Sequence, residues 1–84
     1  MTDDIKGALK SLVKSLIKVN RMKAANEPDE TYNSLIYFYQ GVVTGKDEML
    51  SRLFPNVNLD ISTDVHGNYI WIIKCDGEIW RNEF

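Results

Sequence analysis

The chain has 84 residues, 44% of them hydrophobic and 26% charged, with a net charge of −2; this suits one small core and excludes a disordered polyelectrolyte. A single cysteine, Cys75, excludes an internal disulfide framework and fits a reducing compartment. No apolar run approaches the roughly 20 residues that span a bilayer, and lysines interrupt the N-terminal stretch too often for a signal peptide, so a cytoplasmic address is expected.

A first helix is expected from Thr2 or Asp3, either of which can cap it, to about Ala25–Asn26, because Pro28 cannot continue it. Ile5, Leu9, Leu12, Val13, Leu16 and Val19 recur at the spacing of one helix face. Lys6, Lys10, Lys14, Lys18 and Arg21 fall in an adjacent sector about 120° wide. The first 26 residues hold six basic and two acidic side chains, a net of +4; the other 58 hold four and ten, a net of −6. Lysines four apart repel one another on a helix. That charge asymmetry points to a polyanionic partner or to the two halves holding each other. The plainer reading is a solvated face of a core helix.

A second helix is expected from Pro28 or Asp29 to Val43, with Tyr32, Leu35, Ile36, Tyr39, Val42 and Val43 inward. Phe38 flanks that stripe, and Tyr37 points elsewhere. Gly45 reads as its stop. Thr44 and Asp47 resemble a capping box for a short third helix carrying Met49, Leu50, Leu53 and Phe54, closed by Pro55-Asn56.

After Pro55 the hydrophobic period changes to two. Val57, Leu59 and Ile61 alternate with polar residues, Asn68 to Cys75 is rich in β-branched and aromatic side chains, and Glu78 to Phe84 returns after Asp76-Gly77. That dipeptide is the signature of a two-residue type I′ hairpin. It sets Cys75 opposite Glu78, Ile73 opposite Trp80, Trp71 opposite Asn82 and Tyr69 opposite Phe84. A four-residue loop in the Asp64–Gly67 turn would set Ile61 opposite Ile70 and Leu59 opposite Ile72. An aliphatic face of Val57, Leu59, Ile61, Ile70, Ile72 and Ile79 would then pack on the helices. The opposite face would show Tyr69, Trp71, Ile73, Trp80 and Phe84, edged by Asn58, Asp60, Ser62 and Asn82.

The expected architecture is an α+β single domain. Two helices and a short third occupy residues 1–54, and a three-stranded antiparallel meander occupies 57–84, with the helices on one sheet face. Tyr69, Trp71, Trp80, Phe84 and Asp60 are the candidate protein-contact residues, since aromatics anchor interfaces. Lys6, Lys10, Lys14, Lys18 and Arg21 are the candidate contacts for RNA or DNA. Membrane binding is disfavoured, because the first helix lacks Trp and Phe and its apolar face is needed for the core.

Signs of catalysis are lacking. His66 sits in a turn beside Asp64 without a nucleophile, and Cys75 has no histidine at a recognisable spacing. One His and one Cys do not make a zinc site. Gly41-Val-Val-Thr-Gly-Lys46 follows a helix, lacks the phosphate-loop form and is set aside. No cofactor, metal or small-molecule substrate is expected. The function expected is a non-enzymatic interaction protein of the inhibitor, antitoxin or regulatory-accessory kind, binding a partner or its own copy. An immunity-type or phage counter-defence role fits its size, and nucleic-acid binding through the first helix is the alternative.

Overall fold

Two long helices and a three-stranded antiparallel sheet, in that order, make up the computed structural model, which describes residues 1–25 and 29–84. Helix α1 (Asp3–Ala25) is opened by Thr2, whose Oγ1 accepts from the Ile5 N–H at 3.3 Å. Asp3 and Asp4 sit favourably against its N-terminal dipole. Ile5, Leu9, Leu12, Val13, Leu16 and Val19 are all buried, as their spacing requires. Asn26 and the Pro28 boundary lie outside the described residues.

Helix α2 (Glu30–Leu53) starts at the N-cap Asp29, whose side chain accepts from the Thr31 N–H at 2.8 Å. It then runs without a break through Gly45, so the expected stop and third helix are one continuous element. Thr44 does not cap: its Oγ1 donates back to the Gln40 carbonyl one turn earlier, at 3.2 Å. Glycine inside a helix costs about 1 kcal/mol relative to alanine, and the packing of Val43 and Leu50 on either side of Gly45 overrides it.

The helices pair antiparallel. Tyr32, Ile36, Tyr39, Val43, Lys46 and Leu50 alternate in steps of four and three, the spacing of a coiled-coil seam. The Tyr32 hydroxyl donates to the Met22 carbonyl at 2.9 Å. At the other end the Lys46 ammonium donates to Ser15 Oγ at 2.7 Å, Ser11 Oγ at 2.9 Å and the Ser11 carbonyl at 3.3 Å. Three acceptors match its three donors, which is how a charge is tolerated in a helix seam. Leu35, expected inward, lies outside this seam and is exposed.

Strands β1 (Asn58–Thr63), β2 (Tyr69–Cys75) and β3 (Glu78–Arg81) form the sheet with β2 central. The second hairpin has the expected register, Cys75 opposite Glu78 and Ile73 opposite Trp80. Both loop residues have positive φ, 53° at Asp76 and 80° at Gly77, as a type I′ turn demands. The first hairpin differs by one residue. Ile61 lies opposite Trp71 and Leu59 opposite Ile73, because Asp64 pairs with Asn68, the Asp64 N–H donating to the Asn68 carbonyl at 2.9 Å. Three residues remain in the loop, ending at Gly67 with φ 80°. This is the three-residue hairpin with a left-handed final residue.

A one-residue slip moves a whole strand's side chains to the other face. Leu59 and Ile61 therefore join Tyr69, Trp71, Ile73, Cys75 and Trp80 in the core cluster with α1 and α2, while Ile70 and Ile79 are exposed on the outer face. The expected assignment of faces is thus reversed for β2 and β3. Burying indoles and a phenol removes more apolar surface from water than burying isoleucines would.

Strand β3 ends early, since Asn82 takes a left-handed φ of 56°. Its N–H donates to the Trp71 carbonyl and its Oδ1 accepts from the Trp71 N–H, both at 2.9 Å. Tyr69 therefore has no strand partner on that side, and Phe84 is not opposite it as expected. Helix α1 fills the gap. Asn20 Oδ1 accepts from the Tyr69 N–H at 2.7 Å, Asn20 Nδ2 donates to the Tyr69 carbonyl at 3.0 Å, and Lys23 Nζ donates to the Gly67 carbonyl at 2.6 Å. At the opposite end the N-terminal ammonium pairs with Asp76 at 3.1 Å. Helix α1 thus runs antiparallel along β2 and is tied to it at both ends.

Both turns depend on ionised carboxylates. Asp64 is held below the usual carboxylate range by the Asn68 N–H above all, and also by the His66 N–H. Asp76 is held below it first by the N-terminal ammonium and then by the Cys75 thiol. A lowered folded value means that the stabilisation is complete above the ordinary value of about 3.9 and is lost as pH falls through the folded one. Melting temperature is expected to drop on acidification below about pH 4, and the drop should be smaller in Asp64→Asn/Asp76→Asn. Equal drops in wild type and variant would show that neither turn carries the effect.

Candidate interaction surfaces

Of the five residues expected as an exposed protein-contact patch, the structure keeps the four aromatics on one face, turns that face to the core and places Asp60 on the other. Trp71 is 5% exposed, and its indole N–H donates to the Glu83 carbonyl at 3.2 Å. Tyr69 is half-buried, its phenol pKa raised by that burial. Asp60 lies opposite Ile72 on the outer sheet face, away from the aromatics. Trp80 and Phe84 remain partly accessible, in an edge-to-face pair with centroids 5.0 Å apart.

The second expected set stays together. Lys6, Lys10, Lys14, Lys18 and Arg21 are all exposed on α1, about 22 Å from first to last at 1.5 Å per residue. None forms an ion pair with a described carboxylate. Lys18 stands over the Tyr39 ring, 3.9 Å from its centroid. Lys10, Lys14, Lys18 and Arg21 border a groove of about 490 Å³ with Phe84 in its wall. Val13 and Ile17 supply its apolar lining. A neighbouring groove of about 390 Å³ shares Lys10 and Phe84 and adds Lys6, Trp80, Glu78 and Met1. Cations from one expected set and two aromatics from the other thus border one trough. Long-range packing brought them together: Phe84 reaches α1 because the chain leaves the sheet at Asn82.

A third surface was not singled out from the sequence. Leu35, Phe38, Met49 and Leu53 are between 43% and 63% exposed along α2. At 100° per residue they share a sector about 60° wide, with Val42 inside it and Gly45 at its border. This stripe lies roughly 100° from the seam that meets α1. The signal was present as a second heptad-like series at 35, 38, 42, 45 and 49. It was absorbed into one broad inward face once the helix was expected to stop at Gly45.

The reactive side chains offer little. Cys75 is buried, and burial followed by its hydrogen bond to the neighbouring Asp76 carboxylate pushes its thiol pKa up, away from a thiolate. His66 is exposed in its turn. Among the described residues no three His, Cys, Asp or Glu side chains are grouped to hold a metal ion, and no helix is long and apolar enough to cross a membrane. Compared with protein-family models, curated proteins and solved structures, the chain has no match.

Proposed function

We propose that this is a non-enzymatic interaction protein whose contact surface is the apolar stripe of α2, occupied by the same stripe of a second copy. The observation that carries the reading is the exposure of Leu35, Phe38, Met49 and Leu53 along one side of a 24-residue helix. A stripe that large and continuous marks a contact site on a soluble domain. Self-pairing suits it because the series is nearly two-fold symmetric. Antiparallel alignment sets Phe38 opposite Met49, Val42 opposite Gly45 and Leu35 near Leu53, so that the two inner pairs match a larger side chain with a smaller or flexible one and the outer pair joins two leucines. Gly45, at the border of the stripe, supports a close helix approach, since a Cβ there would meet nothing within 4 Å of its own chain. A helix-interior glycine costs about 1 kcal/mol, and nothing inside the fold requires this one.

Sedimentation equilibrium tests the pairing. Wild type is expected to show a concentration-dependent dimer. Phe38→Glu and Met49→Glu should each raise its dissociation constant at least roughly tenfold, the effect of burying an unpaired charge at an interface, with an unchanged far-UV spectrum. A wild-type chain that remains monomeric at its highest soluble concentration would overturn self-pairing. Such a dimer leaves the α1 trough outside the contact, compatible with an inhibitor, antitoxin or regulatory accessory.

A further inference from the structure

The trough between α1 and the Trp80–Phe84 pair has a chemistry of its own, independent of the α2 stripe. One wall carries a cation on nearly every turn, from Lys6 to Arg21, about 6 Å apart. The other wall carries two aromatic rings, and Val13 and Ile17 make its lining apolar. Simple neutralisation of the chain's own charge is not what this arrangement achieves. The acidic residues number ten after position 26, yet no described carboxylate pairs with any of the five cations. Glu78 borders the trough without such a pair.

We infer that this trough binds single-stranded nucleic acid, with phosphates along the α1 cations and a base against Phe84. A line of cations facing aromatic platforms is the arrangement that non-specific single-strand binders use. A duplex would satisfy only half of it. Its phosphates could reach the lysines, but its bases are stacked on one another and would leave the aromatic wall and the apolar lining unfilled. A groove of about 490 Å³ is within the size range of small-ligand sites and takes a nucleobase with its sugar. The length of the cationic line corresponds to a site of about four nucleotides, the lower end for such proteins.

Fluorescence anisotropy with a labelled 12-nucleotide oligo-dT, the matching duplex and heparin separates the alternatives. Single strand is expected to bind best, with log K falling against log salt at a slope near −2 to −3, as about four phosphate contacts require. Lys10→Glu/Lys14→Glu should weaken binding at least roughly tenfold. Phe84→Ala should weaken single-strand binding roughly tenfold through lost stacking while leaving heparin binding unchanged. Because Phe84 packs on Trp80, Phe84→Leu provides a second variant that keeps apolar bulk and loses the ring. In a Trp71→Phe background, which leaves Trp80 as the single indole, quenching of Trp80 fluorescence by bound oligonucleotide reports a base in the trough. Equal affinity for duplex or heparin with no effect at Phe84 would overturn the inference in favour of a bare cationic patch. Binding to anionic vesicles but to no oligonucleotide would overturn it in favour of a lipid surface.

Discussion

Trp71→Ala is expected to remove about 3–5 kcal/mol of stability, the cost of deleting a buried indole. A chain of this length has in total roughly 4–13 kcal/mol, so much of the variant should be unfolded at room temperature. The indole lies in the core cluster with Ile73 beside it on the same face, and it also ties down the Glu83 carbonyl. Its loss therefore leaves a cavity and an unpaired backbone acceptor together. Trp71→Phe should retain most of the stability. Ile70→Ala, one residue earlier and on the exposed face, should cost less than about 1 kcal/mol. Urea denaturation followed by circular dichroism measures all three. The contrast tests the register directly, because the alternative pairing exposes Trp71 and buries Ile70. If Trp71→Ala is as stable as wild type while Ile70→Ala unfolds, the sheet faces are the other way round.

Asn20→Ala is expected to cost about 1–3 kcal/mol, the penalty for leaving partly buried backbone groups unsatisfied. The Asn20 carboxamide acts as a short substitute strand, taking both hydrogen bonds that β3 would have supplied to Tyr69 had it continued past Arg81. Asn20→Asp should also destabilise. A carboxylate can still accept from the Tyr69 N–H but places negative charge against the Tyr69 carbonyl. Amide hydrogen exchange at Tyr69 is the most direct measurement. Its protection should fall by more than that of the Ile73 amide in both variants. Unchanged protection at Tyr69 would show that the bonds to Asn20 contribute nothing.

Local pattern and long-range packing account for different parts of this protein. The apolar face of α1, its start at Thr2 or Asp3, the start of α2 near Asp29, the Asp76-Gly77 hairpin and the α+β class follow from spacing and from residues with strong backbone preferences. The five α1 cations were placed on one exposed face by the same periodicity. Such signals are decided within one or two turns of the chain, so they survive without knowledge of neighbours. The continuity of α2 was hidden because Gly45 and Thr44 carry local stop signals. Packing of Val43 and Leu50 and the bonds from Lys46 to Ser11 and Ser15, more than thirty residues away, outweigh those signals.

The sheet faces show the limit most sharply. Alternation alone established that Trp71 and Ile73 share one face and Ile70 and Ile72 the other. Which face meets the helices turned on one residue of loop length, and that rests on the Asp64–Asn68 hydrogen bond and the left-handed Gly67. By itself the sequence determined the α+β class, helix α1, the three strands, the charge asymmetry and the two candidate residue sets, but not the single continuous α2. Only the tertiary structure buried Trp71, moved Asp60 to the opposite face and brought Trp80 and Phe84 beside the α1 cations. The physical reason is that a strand's side-chain period is two: a single added residue changes no local preference, yet it exchanges the core for the surface.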